Sequence, residues 1–179
     1  MGRRGGADRG FTLMEILVVL AIIAIVTAGV LLSLNLGGGD SALKTTGRRL
    51  TSLLRYTRSQ AQLQTRNYGV LFDPRGYQFL VFSEQRNQWR PVTRDQILRK
   101  RRLPPGVSVR VELDGRRIVL GHPHHRDGGT LTPQVMIYSS GDLSSFSVTL
   151  EQTGTRHGLV IKPDADGRIV ERPLAGAAQ

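Results

Sequence analysis

The sequence predicts an α+β fold in which a long N-terminal helix, membrane-spanning in its first half, packs on antiparallel β-sheets. Three observations carry that prediction. An apolar run fills Gly10 to Leu34, a stripe with steps of four and three follows it to about Arg66, and beyond Asn67 the hydrophobic period changes to two.

The apolar run comes first. From Ile16 to Leu34 only Thr27, Gly29 and Ser33 interrupt it, and Glu15 is the one charge between Gly10 and Leu34. About 24 residues at about 1.5 Å rise cover about 36 Å, enough to cross a hydrocarbon core of about 30 Å with some tilt. Residues 11–36 are therefore expected to form a transmembrane helix. A basic leader with Arg3, Arg4 and Arg9 stops at Gly10, directly before this run. A secretory signal would put a small-residue cleavage site after its apolar core, and Asn35-Leu36-Gly37-Gly38-Gly39 is a poor match. The arrangement suits a cut before the helix, which removes residues 1–10 and leaves the helix on the mature protein.

Residues 37–66 are expected to hold a glycine break and then an amphipathic helix. Gly37-Gly38-Gly39 should loosen the backbone, since glycine carries the largest helix penalty after proline. Asp40 and Ser41 can supply an N-cap. Leu43, Gly47, Leu50, Leu54, Thr57 and Ala61 then make one stripe, with Leu53 beside it and arginines on the other sides. That face should pack on a sheet.

Residues 67–179 are expected to form an antiparallel β domain. Strand-like runs fall at residues 68–72, 77–83, 88–92, 107–113, 116–120, 134–139, 145–150, 158–162 and 168–172. The turns between them are Asp73-Pro74-Arg75-Gly76, Gln85-Arg86-Asn87, Asp114-Gly115, Ser140-Gly141-Asp142 and Asp166-Gly167. Hairpins in series argue for antiparallel pairing.

Arg9-Gly10-Phe11-Thr12-Leu13-Met14-Glu15, followed by an apolar helix, resembles the N-terminus of type IV pilins and type II secretion pseudopilins. The resemblance implies a prepilin peptidase that cuts Gly10–Phe11 and methylates the new N-terminus at Phe11. It also makes Glu15 the acid of the motif. An ionised carboxylate in hydrocarbon costs at least about 2.5–3.5 kcal/mol, so it needs a partner or must reach the interface. A free α-amine, with an unperturbed pKa of about 8, is a cation of the right sign. Glu15 lies about 6 Å beyond Phe11 along a helix, so the amine of an axially shifted neighbour can meet it. Glu15 is therefore expected to act in assembly. In the family the membrane helix runs straight into the next helical segment, and the triple glycine departs from that.

A second stretch narrows the resemblance. Pro133-Gln134-Val135-Met136-Ile137-Tyr138-Ser139-Ser140-Gly141-Asp142, then Phe146-Ser147-Val148-Thr149-Leu150, looks like the C-terminal part of the H-type minor pseudopilin of type II secretion. With Tyr68-Gly69-Val70 and the N-terminal motif, the similarity runs over most of the chain. It implies a pilin-like fold and a structural role for this turn.

The formal net charge is +11, and loss of Arg3, Arg4, Arg9 and Asp8 with the leader leaves +9. Only Lys44, Lys100 and Lys162 are lysines, which a coding bias toward arginine would also produce. The densest run is Arg99-Lys100-Arg101-Arg102, near Arg94, in what reads as a loop beside Pro104-Pro105-Gly106. A solvated face is the plain reading; a surface for a partner or polyanion is the functional one. Basic residues flank the apolar run on both sides, so charge alone does not orient it. The resemblance does, with the leader in the cytoplasm and the globular domain in the periplasm. There are no cysteines, so the fold uses neither disulfide nor thiolate site.

Several constellations resemble chemistry. Ser139 and Ser140 lack a G-x-S-x-G context. His122, His124 and His125, with His157 distant, crowd a loop with Pro123 that offers no fixed tetrahedral geometry. Asp164-x-Asp166-Gly167 opens like a calcium loop but lacks the later ligands, so a hairpin turn is expected. Trp89 and Tyr77-Gln78-Phe79-Leu80-Val81-Phe82 read as core and sheet packing.

The function expected from the resemblance is that of a non-enzymatic subunit without metal or cofactor. It would stand at or near the tip of a periplasmic pseudopilus, anchored in inner membrane lipid, and take part in protein export. Its expected partners are other minor pseudopilins, the major pseudopilin, the prepilin peptidase and secreted cargo, with the 94–102 and histidine segments choosing acidic neighbours. One rival is a type IV pilus minor pilin with a basic DNA-binding surface for DNA uptake, although no clear motif for reading nucleic acid is present. The other is an envelope hydrolase on an uncleaved helix, for which the sequence supplies no nucleophile and base.

Overall fold

A computed structural model of the chain describes residues 13–121 and 131–174, with side chains for all of these but 28–39. One helix, α1, runs Leu13–Gln64. The expected interruption at Gly37-Gly38-Gly39 does not occur, and Asp40 and Ser41 lie inside the helix rather than capping a new one. Each glycine costs about 1 kcal/mol against alanine, but restarting a helix requires a fresh and costly nucleus. The chain nonetheless divides at Gly38/Gly39 into two compact units.

In the first unit the described side chains are exposed all round the helix, the large apolar ones between 46% at Val19 and 81% at Leu13. An all-apolar helix with no polar face needs lipid or partner helices around it. Thr27 Oγ1 donates to Ile23 O at 2.6 Å, which satisfies its hydroxyl inside the helix. Among the described residues no helix is long and apolar enough to cross a membrane. The apolar portion has described side chains only over residues 13–27, short of the about 20 residues a span requires.

The second unit carries the sheets. Strands β1 (Tyr68–Asp73), β2 (Gly76–Ser83), β3 (Gln88–Pro91), β4 (Arg101–Arg102), β5 (Val107–Leu113), β6 (Arg116–Arg117), β7 (Val135–Ile137), β8 (Phe146–Gln152), β9 (Gly158–Pro163) and β10 (Ile169–Pro173) follow in chain order, with a 3-10 turn at Glu84–Arg86. One sheet has the order β3-β2-β1-β7, with β4 also on β2; the other runs β10-β9-β8-β5-β6. Every pairing is antiparallel, from Tyr68↔Val81 between β1 and β2 to Val111↔Val148 between β5 and β8. Trp89 meets Phe82 edge-on at 5.3 Å, a packing contact across β2 and β3. Asp164 to Gly167 form the turn between β9 and β10, where Asp164 Oδ1 accepts from the amides of Asp166 and Arg168.

All six stripe residues of α1 are buried: Leu43, Gly47, Leu50, Leu54, Thr57 and Ala61. The leucines and Ala61 share one core cluster with Val70, Phe79, Ile137, Val148, Leu150 and Ile161 of both sheets. Gly47 has a steric reason to be glycine, since an added Cβ would stand 2.8 Å from Leu159 Cδ1 and 3.3 Å from the Glu171 carboxyl. At this position α1 therefore packs against side chains of β9 and β10 with no room for a Cβ.

Candidate functional site

Gly10 and Phe11 lie outside the described residues, as do His122, His124 and His125. Glu15 stands in the first turn of α1, where the helix dipole favours an acid. Among the described residues no group of three or more His, Asp or Glu is placed to hold a metal. His157 instead approaches Asp40 at 4.0 Å. The Lys44 hydrogen bond holds the Asp40 carboxyl below its usual range, against burial and with help from the charges of Lys44 and His157.

The basic segment is partly built into the fold. Arg101 and Arg102 form strand β4 on β2 instead of a loop, because Gly76 has no Cβ to bar the Arg101 carbonyl. Leu98 is buried, and Asp95 accepts from Tyr56 OH at 2.9 Å and from the Ile97 amide at 2.7 Å. These contacts pin the segment to α1. Arg101 Nη2 donates to Ile97 O at 3.0 Å, while its buried Nε has no hydrogen-bond partner among the described residues. Burial raises the pKa of the neighbouring Tyr77 phenol, and Arg101 and Arg49 act in the opposite direction. Arg94, Arg99, Lys100 and Arg102 remain exposed, with Lys100 3.9 Å from Asp73.

The second motif stretch has a clear structural role. The Gln134 side chain pairs with Phe72 in both directions, accepting from its amide at 2.7 Å and donating to its carbonyl at 3.3 Å. Pro133 packs against Gly69, where an added Cβ would lie 2.5 Å from the proline Cβ. Downstream, the Gly141 amide donates to Tyr138 O at 2.9 Å and Tyr138 N to Asp142 O at 2.9 Å, closing the turn. Ser140 Oγ bonds Asp142 Oδ2 at 2.8 Å, and the Ser139 amide donates to Asn67 Oδ1 at 2.9 Å. The Ser140 hydroxyl and the Ser139 backbone amide thus help to hold the turn.

α1 grips this turn with polar residues that lie outside its apolar stripe. Arg58 Nε donates to Gly141 O and Nη1 to Gly167 O, each at 2.6 Å, and Gln62 Nε2 donates to Ser140 O at 3.2 Å. Arg55 reaches Ile169 O through Nε at 3.2 Å and Nη2 at 2.6 Å. Their spacing, three and four residues apart, was the available signal. Arg55, Arg58, Ser59, Gln62, Arg168 and Ile169 line a cleft of about 440 Å3.

Gly141→Ala is expected to destabilise the chain by about 1–3 kcal/mol, read as a lower urea midpoint. Gly141 has φ +91°, and an added Cβ would collide with the Gln62 amide. An unchanged midpoint would show that the turn relaxes freely.

The type II transport protein GspH family model matches residues 46–167, and the prokaryotic N-terminal methylation motif matches residues 6–31. The chain is 34% identical over 164 residues to type II secretion system protein H of Pseudomonas aeruginosa, covering 90% of this chain and 92% of that one. Against the protein of the same name from Aeromonas hydrophila the identity is 31% over 170 residues, covering 89% and 91%. Among solved structures, the crystal structure of the minor pseudopilin EpsH from the Vibrio cholerae type II secretion system aligns with TM-score 0.62 at 19% identity, covering 76% of this chain and 97% of that one. The solution structure of Escherichia coli GspH gives 0.56 at 17%, covering 78% and 94%. The structural likenesses support the same fold.

Proposed function

The chain belongs to the GspH family of type II transport proteins, and from that premise we propose how it works. It is a minor pseudopilin of the type II secretion system, an inner-membrane-anchored periplasmic protein of a structural family, and it interacts with other pseudopilins. The family match across most of the β domain carries this reading. It favours secretion over DNA uptake.

The finer picture is our inference. Prepilin peptidase cuts Gly10–Phe11 and methylates Phe11, residues 11–36 span the membrane, and the subunit stands at or near the pseudopilus tip beside the major pseudopilin, where it contacts secreted cargo. The methylation motif supports the cut, and the exposed apolar helix of the first unit supports the anchor. Intact mass of the membrane-extracted chain, co-expressed with prepilin peptidase, is expected to show a start at methylated Phe11. Retention of Met1–Gly10 would overturn the processing step.

The exposed arginines of the basic segment are proposed to meet acidic neighbours. Reversing Arg99 and Arg102 to Glu is expected to weaken co-purification with partner pseudopilins, and unchanged recovery would remove the segment from the interface.

A further inference from the structure

Arg55 and Arg58 are held by backbone carbonyls rather than by carboxylates. Among the described residues neither guanidinium joins an ion pair. Acids on the adjoining segments hydrogen-bond to other groups: Asp142 with Ser140, Asp164 with the amides of its own turn, and Glu171 with Thr51. Arg168 stands 3.8 Å from Asp166 with its side chain 77% exposed, a pairing that counts for little in water.

A guanidinium offers five N–H donors. Arg58 uses Nε and Nη1 on carbonyls and Arg55 uses Nε and Nη2, which leaves Arg58 Nη2 and Arg55 Nη1 outside these bonds. The carbonyl bonds fix both planar groups before any ligand arrives, so little side-chain freedom is lost when one binds. Ile169 is buried in the core and takes part in the cleft through the carbonyl that Arg55 binds. The cleft lining holds three guanidiniums and no carboxylate, which fits an anion, and planar forks match a carboxylate best.

We propose that this cleft is a docking site for an Asp or Glu side chain of a neighbouring pseudopilin, with Arg55 and Arg58 binding the carboxylate and Arg168 steering it at the rim. The inference rests on the pseudopilin function proposed here, which supplies the neighbour.

The test uses the full chain in its native host after deletion of the chromosomal copy, with the photo-crosslinker p-benzoylphenylalanine at Ser59, which lines the cleft. Crosslinked peptides are mapped by mass spectrometry. The expected product joins Ser59 to an Asp- or Glu-bearing peptide of another pseudopilin. Its yield falls at least about tenfold in Arg168→Glu and is kept in Arg168→Lys. Arg168 makes none of the carbonyl clamps, so an unchanged urea midpoint shows that the fold survives. Restored export without such a crosslink, a crosslink only to lipid or to the chain's own C-terminal tail, or one indifferent to Arg168→Glu overturns the docking site alone. Failure of the wild-type chain to restore export overturns the pseudopilin function and takes this inference with it.

Discussion

Glu15→Leu is expected to leave the chain inserted and processed while its incorporation into pseudopili drops to background. Insertion should not suffer, because a carboxylate in hydrocarbon costs about 2.5–3.5 kcal/mol on insertion scales and leucine is favourable there. Assembly should suffer, because the acid is the one charge in the apolar run and, in the assembly proposed above, its pairing with a neighbour's amine would fix the subunit's axial position. Glu15 lies in the first turn of α1, where the helix dipole already favours a negative charge. A neighbour's α-amine displaced by about 6 Å, four residues of helix rise, would add a full positive charge in a medium of low dielectric. The measurement compares membrane content and N-terminal mass with the amount of subunit in the sheared pseudopilus fraction. Glu15→Gln, which keeps the size and a hydrogen bond but no charge, is expected to fall close to the leucine variant. Normal incorporation of either variant would sink the charge-pairing role.

The parts of the fold that were legible in the sequence are those with one physical cause. The stripe from Leu43 to Ala61 is buried because a single helix face meets the sheets, and that face leaves a 3.6-residue signature. β5 occupies Val107–Leu113, the same bounds the alternation predicts, because it pairs with β8 along its full length. β6 is only Arg116–Arg117, where the sequence suggested residues 116–120. The basic segment reads as a loop in the sequence because nothing in Arg101 and Arg102 favours a strand; their pairing with Gly76 and Tyr77 exists only once β2 presents an edge without a Cβ. Unbroken helix at Gly37-Gly38-Gly39 shows the reverse, local penalties overridden by cooperative propagation.

The candidate site divides in the same way. The N-terminal motif is legible because it is contiguous in sequence, and the methylation-motif match spans it. Arg58 to Gly141 and Arg55 to Ile169 are side-chain-to-backbone bonds between segments 83 and 114 residues apart, and a single sequence marks such carbonyls with no residue type. Only the helical spacing of Arg55, Arg58 and Gln62 hinted at a shared face.

Those bonds exist only while α1 is docked, and Leu54 is the residue expected to decide the docking. Its side chain is fully buried, at 0% exposure, in the core cluster that joins both sheets. Leu54→Ala is expected to cost about 2–5 kcal/mol, the transfer term plus the cavity left behind. That is a large part of the about 5–15 kcal/mol that stabilises a typical domain. Leu63, also on α1 but 77% exposed, supplies the control, and Leu63→Ala should stay within about 0.5 kcal/mol of the parent. The comparison is made on urea midpoints of the two variants at matched slope. Equal midpoints would mean that helix composition, not this buried face, sets stability. A fall for Leu54→Ala alone would locate the stability in the stripe. Subunit abundance should then fall with it, because more of the chain would be open to envelope proteases. In the surviving Leu54→Ala molecules the Ser59 crosslink should also weaken, since Arg55 and Arg58 keep their orientation only against the carbonyls of Ile169, Gly141 and Gly167.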